Sequence, residues 1–231
     1  MTSNGELNIP DIPAIPGTTT QEYVYKRLRN AIMLGAIEPG TSLTMRGLAE
    51  RLGLSPTPVR EAVRQLSSEH AIQIKDNRRM MVPLMTLDRF EELVSLRVVV
   101  EVHTAKRALH YMSDFIIEKL TEMDNRMDEF IFERDLDQLT LLNQAFHRTL
   151  YMANPARASM PIIESIWLQL GPFQRQVLTR LTEYYEIDRH KEILAALTTR
   201  DETALQDAIT NDIRDGVLKS GRNLLVSTGA A

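Results

Sequence analysis

The stretch that decides the fold is Leu54–Leu66, LSPTPVREAVRQL. Two prolines stand two residues apart in front of a helical pattern. Proline costs little in the first turn of a helix, where backbone N–H groups lack intrahelical partners, and its fixed φ suits that position. Ser55 therefore reads as the N-cap, Pro56 as the first helical residue and Pro58 as the third. Upstream, Leu48, Ala49 and Leu52 keep helical spacing, and Gly53 supplies a residue able to turn the chain through a left-handed conformation. The pattern predicts a helix, a short turn and a second helix.

The second helix sorts into two faces. Val59, Ala62, Val63 and Leu66 recur at helical spacing and suit a core, whereas Thr57, Arg60 and Arg64 share a cationic face near the N-terminus. A hydroxyl and forked guanidinium groups on the first turns, with N-terminal N–H groups pointing outward, suit a DNA major groove and its phosphates. An ordinary helical hairpin with a solvated basic face gives the same pattern.

The flanks favour DNA. Tyr23, Leu28, Ile32 and Met33 mark an amphipathic helix ending at Gly35, followed by the turn Glu38-Pro39-Gly40. Ala71–Ile74 and Met80–Pro83 read as two short strands around Asp76-Asn77-Arg78-Arg79, a wing with a basic tip. Three helices and a wing make a winged helix-turn-helix domain.

The run AIMLGAIEPGTSLTMRGLAERLGLSPTPVREAVRQL resembles the N-terminal domain of the GntR family of bacterial transcription regulators, from about Thr20 through the wing. The resemblance implies operator contacts by Arg46, Ser55, Thr57, Arg60 and the wing residues Asn77, Arg78 and Arg79. The chain departs from the family at Pro56, where many members carry a base-reading arginine, and at His70 and Met80, where glycines are common around the wing.

Charge is divided unevenly along the 231 residues. The net value is −4, yet residues 20–82 hold ten Lys/Arg against six Asp/Glu, a net of +4. Residues 83–231 hold 17 against 23, a net of −6, and Glu6 and Asp11 supply the rest. The electrostatic case for phosphate contact lies in the first domain. The absence of cysteine excludes a disulfide framework and thiolate metal sites, and the short apolar runs fall far below the ~20 residues that span a membrane. A cytoplasmic protein with no membrane contact is expected. Residues 1–19, with Pro10, Pro13 and Pro16, read as a disordered arm.

Beyond Pro83 the pattern is helical, with helices expected near 87–111, 114–133, 136–153, 157–178, 183–199 and 201–225. The expected architecture is thus mainly α: a winged helix-turn-helix at 20–83 and an all-α bundle of about six helices at 84–231, able to enclose a small-molecule pocket. Polar residues interrupt its apolar stripes. Asn143 and His147 lie on the stripe of Leu139, Phe146 and Leu150, His190 lies between Ile187 and Leu194, and Asp212 lies among Leu205, Ala208 and Ile209. A carboxylate on a buried stripe calls for a cationic or metal partner. Two imidazoles, a carboxylate and an amide oxygen suit a divalent ion such as Zn²⁺ or Ni²⁺, and a plain Asp–His hydrogen-bond network suits the same pattern. Arg97 shares a stripe with Phe90, Val94 and Ala105, and Glu101 stands one turn on to pair with it. Trp167, Phe173, Tyr184 and Tyr185 are aromatic candidates for a pocket wall or for plain core, and His103 and His110 have no evident partner.

The segments NQAFHRTLYMANP, RHKEILAALTTRDETAL and ITNDIRDG resemble the FCD domain of the FadR-like branch of the same family, over residues 84–225. The resemblance implies a metal site at Asn143, His147, His190 and Asp212, an effector carboxylate completing the coordination, and an effector-facing role for Arg97 with Glu101. Asn143 replaces the family's usual acid and Asp212 its last histidine, so the carboxylate has moved to another helix.

The expected function is a ligand-responsive repressor. A homodimer binds a pseudo-palindromic double-stranded operator and is released by a small carboxylate or sugar acid. Two other classes fit parts of the pattern. Two histidines and a carboxylate are also the ligand set of non-haem iron oxygenases and of metal hydrolases, and the winged domain alone suits a ligand-independent DNA-binding protein.

Overall fold

The computed structural model describes residues 9–13, 16–75, 79–180 and 189–228. Contacts group the chain into two compact units, Met1–Met85 with Trp167–Gln176, and Thr86–Ile166 with Val177–Ala231.

The first unit is built on α1 (Thr20–Met33), β1 (Ser42–Thr44), α2 (Met45–Leu52), α3 (Pro56–Ser68), β2 (Gln73–Ile74) and β3 (Arg79–Met81). A reciprocal capping box between Thr19 and Glu22 fixes the start of α1. Val24, Leu28 and Ile32 from α1 meet the buried stripe Val59, Ala62, Val63 and Leu66 of α3. Gly53 takes φ 66° at the end of α2, the left-handed turn its position calls for.

The wing differs from the sequence reading in having a third strand. β3 is central, paired antiparallel with β2 through Ile74–Met80 and with β1 through Leu43–Met80. β1 is three residues long, too short to show a period in sequence. His70 sits at φ 59°, so it adopts the conformation that a glycine there adopts without strain. Met80 is buried in the sheet, where a glycine would leave a gap.

Part of the arm expected to be disordered is held against α1. Ile9 is buried, and the Arg27 guanidinium donates to the carbonyls of Ile9 and Pro10 at 3.0 and 3.1 Å. Asp11 accepts from the Tyr23 hydroxyl and lies 3.7 Å from Arg27. A proline-rich segment has little backbone entropy left to lose, so a few such contacts suffice to dock it.

The second unit is helical. α4 (Leu87–Leu109) packs on α6 (Leu136–Tyr151) and α9 (Glu202–Ile213), and α5 (Asp114–Glu133) packs on α6 and α8 (Arg189–Thr199). α7 spans Met160–Arg180, and its middle, Trp167–Gln176, groups with the first unit. The last helix, expected at 201–225, runs on from Glu202 to Thr228 but contains a π-helical turn at Arg214–Leu218, between α9, which ends at Ile213, and α10 (Lys219–Thr228). Gly216 lies inside that turn, where the lack of a side chain weakens the helix. Among the described residues no helix is long and apolar enough to cross a membrane.

Candidate functional site

In the second unit, polar side chains from five helices meet in the core. His147 on α6, His190 on α8 and Asp212 on α9 each offer a ligand atom, all within 4.8 Å of one another and all buried. His147 Nε2 is 3.2 Å from Asp212 Oδ2, and His190 Nε2 is 3.7 Å from Asp212 Oδ1. The Phe146 ring tilts against His190 with centroids 4.6 Å apart and walls one side of the cluster. Asn143 stands one turn before His147 and is half-buried.

Each imidazole is held at its far nitrogen. Asp124 on α5 places Oδ1 3.2 Å from His190 Nδ1. Tyr151, one turn after His147, places its hydroxyl oxygen 3.3 Å from His147 Nδ1 and donates that hydroxyl to Glu101 Oε2 at 2.8 Å. Arg97 Nε in turn donates to Glu101 Oε1 at 2.6 Å. Arg97 and Glu101 thus form the internal bridge that their spacing allowed, made through Nε rather than through the terminal fork of the guanidinium.

Asp124 and Tyr151 escaped the sequence reading. Asp124 falls between Leu120 and Met127 at core spacing, a carboxylate on an apolar stripe, and that signal was available. Tyr151 continues the stripe of Phe146 and Leu150 as any aromatic would, so its polar role had no separate signal.

Burial and neighbours act in opposite directions on the charges. Burial raises the Asp212 carboxyl, but the His147 and His190 imidazoles and the Arg97 guanidinium beside it outweigh that and bring it down to about 2. Burial together with Glu101 pushes the Tyr151 phenol well above its ordinary value, so the hydroxyl keeps its proton. Burial lowers Arg97, and Glu101 more than reverses that.

The donor set fits a divalent cation. His147 Nε2 is buried without a well-directed hydrogen bond while it faces a carboxylate oxygen. Two imidazole nitrogens and an ionised oxygen converging on one point suit a borderline metal.

In the first unit, Ser55, Thr57, Arg60 and Arg64 are all exposed along α3. Ser55 caps the helix through its backbone, with no side-chain cap hydrogen bond. A cap side chain bonds the second or third N–H of a helix, and Pro58 removes the third. The prolines also remove two of the N–H groups expected to point outward, leaving Thr57 as the amide donor between them. Arg46 is exposed and paired with Glu50 at 2.7 Å, and Arg64 lies 3.9 Å from Glu61, surface pairs that contribute little stability. Arg79 is exposed on β3, and Asn77 and Arg78 lie outside the described residues.

Trp167 and Phe173 are buried on α7, and Tyr184 and Tyr185 lie outside the described residues. His103 and His110 are exposed and line an open groove of about 720 Å³ with Lys106 and Tyr111, apart from the His–Asp cluster.

Comparison with known proteins follows the same division. Residues 20–82 match the bacterial regulatory proteins of the gntR family, and residues 92–215 match the FCD domain. The chain belongs to the GntR family and carries an FCD domain. The HTH-type transcriptional regulator McbR of Escherichia coli K12 is 24% identical over 88% of this chain and 96% of its own. The gluconate operon transcriptional repressor of Bacillus subtilis 168 is 26% identical over 85% and 83%. The solved structure of E. coli McbR/YncC shares the fold, with a TM-score of 0.83 over 90% of this chain and 99% of that one, at 23% identity. GntR proteins with FCD domains are transcription regulators rather than enzymes, and this chain is one of them.

Proposed function

We propose that this regulator is a cytoplasmic repressor that binds a pseudo-palindromic operator as a homodimer and leaves it when a small carboxylate or sugar acid enters the FCD domain. Residues 20–83 form the DNA-binding part and residues 84–231 the effector-binding and dimerisation part. The observation that carries the reading is the buried convergence of His147, His190 and Asp212 in a chain that also exposes Thr57, Arg60 and Arg64 on one helix face.

On the DNA side, Arg46, Ser55, Thr57, Arg60, Arg64 and the wing residues Asn77, Arg78 and Arg79 are the proposed contacts. Guanidinium groups neutralise phosphates and can read guanine edges, while the hydroxyls of Ser55 and Thr57 orient the helix start on the backbone. Pro56, offering neither a side-chain nor a backbone donor, shifts the sequence preference onto Arg60.

On the effector side, His147, His190 and Asp212 would hold a Zn²⁺-like or Ni²⁺-like ion, with Asn143 as a weak neutral fourth donor. When bound, such an ion supplies a positive centre that attracts a carboxylate. The Arg97 terminal fork, not spent on Glu101, suits a second contact to the same acid group. The repressor name of the B. subtilis relative, which refers to a gluconate operon, supports both the direction of control and a sugar acid as ligand. Release requires that the ligand bind the DNA-free arrangement more tightly than the DNA-bound one.

The test is a binding assay on the DNA flanking the protein's own coding region, with a panel of carboxylates and sugar acids, on protein purified without chelator or nickel resin. The reading expects one acid to weaken DNA binding at least about tenfold, the effect of a typical coupling free energy, and about one metal ion per chain. DNA binding unmoved by every acid, in protein free of stoichiometric metal, contradicts it.

A further inference from the structure

We infer that Tyr151 and Asp124 are positioning residues of the metal centre, each engaging Nδ1 of one imidazole so that His147 and His190 both present Nε2 toward Asp212. The inference rests on the metal-binding reading above and concerns how this chain holds its ligands.

The geometry follows from counting protons. Glu101 is fully buried and bridged by Arg97, so it is an acceptor. The Tyr151 hydroxyl has one proton and donates it to Glu101 Oε2. Toward His147 it therefore offers a lone pair, and the hydrogen bond at 3.3 Å requires that Nδ1 of His147 carry the proton. Nε2, the nitrogen 3.2 Å from Asp212, becomes the ligand nitrogen. Asp124 imposes the same choice on His190, since a carboxylate 3.2 Å from Nδ1 accepts a proton there. Metal-bound histidines are commonly fixed in this way by an acceptor at the second nitrogen.

The two supports differ in kind. Asp124 acts directly and adds negative charge behind His190. Tyr151 acts as the last member of a buried chain, Arg97 to Glu101 to Tyr151 to His147, that joins α4 to α6. Arg97 and Glu101 thereby affect the metal centre through Tyr151 even where they do not touch it.

The test pairs Zn²⁺ titration calorimetry with ¹⁵N–¹H spectra of the histidine rings, on the full chain with and without Zn²⁺. The parent is expected to carry both ring protons on Nδ1 and Zn²⁺ on Nε2. Tyr151→Phe and Asp124→Leu are expected to weaken Zn²⁺ binding by about 10–100-fold, with mixed tautomers of His147 and His190 respectively in the metal-free protein. Asp124→Asn keeps an acceptor oxygen and is expected to recover most of the affinity and the parental tautomer. Parental affinity with unchanged ring spectra in both deletion variants overturns the inference, as does Zn²⁺ bound through Nδ1 in the parent. Absence of Zn²⁺ binding by the parent overturns the metal reading instead, and the metal-free ring spectra then decide the positioning role: protons on Nδ1 uphold it and protons on Nε2 refute it. The parent spectra decide alone where a variant does not fold.

Discussion

His147 Nε2 stands 3.2 Å from Asp212 Oδ2, although Tyr151 has already engaged the other nitrogen of the same ring. An imidazole nitrogen with its lone pair turned toward a carboxylate is repelled unless a proton or a metal ion lies between them. The stability of the core of the helical unit therefore depends on what balances the charge of Asp212.

That dependence has a sign. The Asp212 carboxyl is held at about 2, below the ordinary 3.8, so between these values the unfolded chain binds the proton more readily than the folded one. The contribution, about 2 kcal/mol in all, is complete above pH ~4 and is lost as pH falls through ~2. Denaturant titrations of the metal-free protein at a series of pH values from 5 to 2 should show this loss. Asp212→Asn should flatten that part of the profile, and a profile of parental steepness in the variant would count against the assignment.

Arg97→Met should destabilise the protein by about 3–5 kcal/mol, since it leaves Glu101 buried without its cation. Replacing both partners, Arg97→Met with Glu101→Leu, should restore much of that loss while abolishing the effector's influence on DNA binding. Thermal melts read the first outcome and operator binding with effector reads the second. An effector response intact in the double variant would remove both residues from the effector site.

The helix-turn-helix was legible because its signals are local. Proline at the helix start, Gly53 in the turn and the stripe Val59, Ala62, Val63 and Leu66 each fix one feature over a few residues. The third strand, Ser42–Thr44, was not, because it exists by pairing with β3 some thirty-five residues later and has no period of its own. The stripes marked His147, His190 and Asp212 as inward-facing, but a stripe gives a direction and not a meeting point. Asp124 carried the same mark as Asp212, yet it stands on α5, a helix that supplies none of the expected ligands. The docking of Ile9 and Pro10 on Arg27 was hidden by composition, since a proline-rich segment reads as disorder whatever partner awaits it.

His70→Gly should stabilise the winged unit. His70 is exposed at φ 59°, a conformation that costs a side-chain-bearing residue about 1–2 kcal/mol, against about 0.4–1 kcal/mol of extra chain entropy that glycine brings to the unfolded state. The balance is a gain of about 0.5–1 kcal/mol, visible as a rise of a few degrees in melting temperature. A lower melting temperature would show that the histidine ring makes a contact worth more than the strain.

The most direct measurement is an anisotropy titration of the DNA flanking the protein's own coding region, at one fixed salt concentration and then across a salt series, comparing the parent with Arg60→Ala/Arg64→Ala. Two lost guanidinium contacts at about 1–3 kcal/mol each for a base contact, and less for a phosphate, predict an affinity at least about tenfold weaker and a shallower salt dependence. A double variant that binds this DNA as tightly as the parent, with the same salt slope, contradicts the account of α3 as the DNA-reading helix.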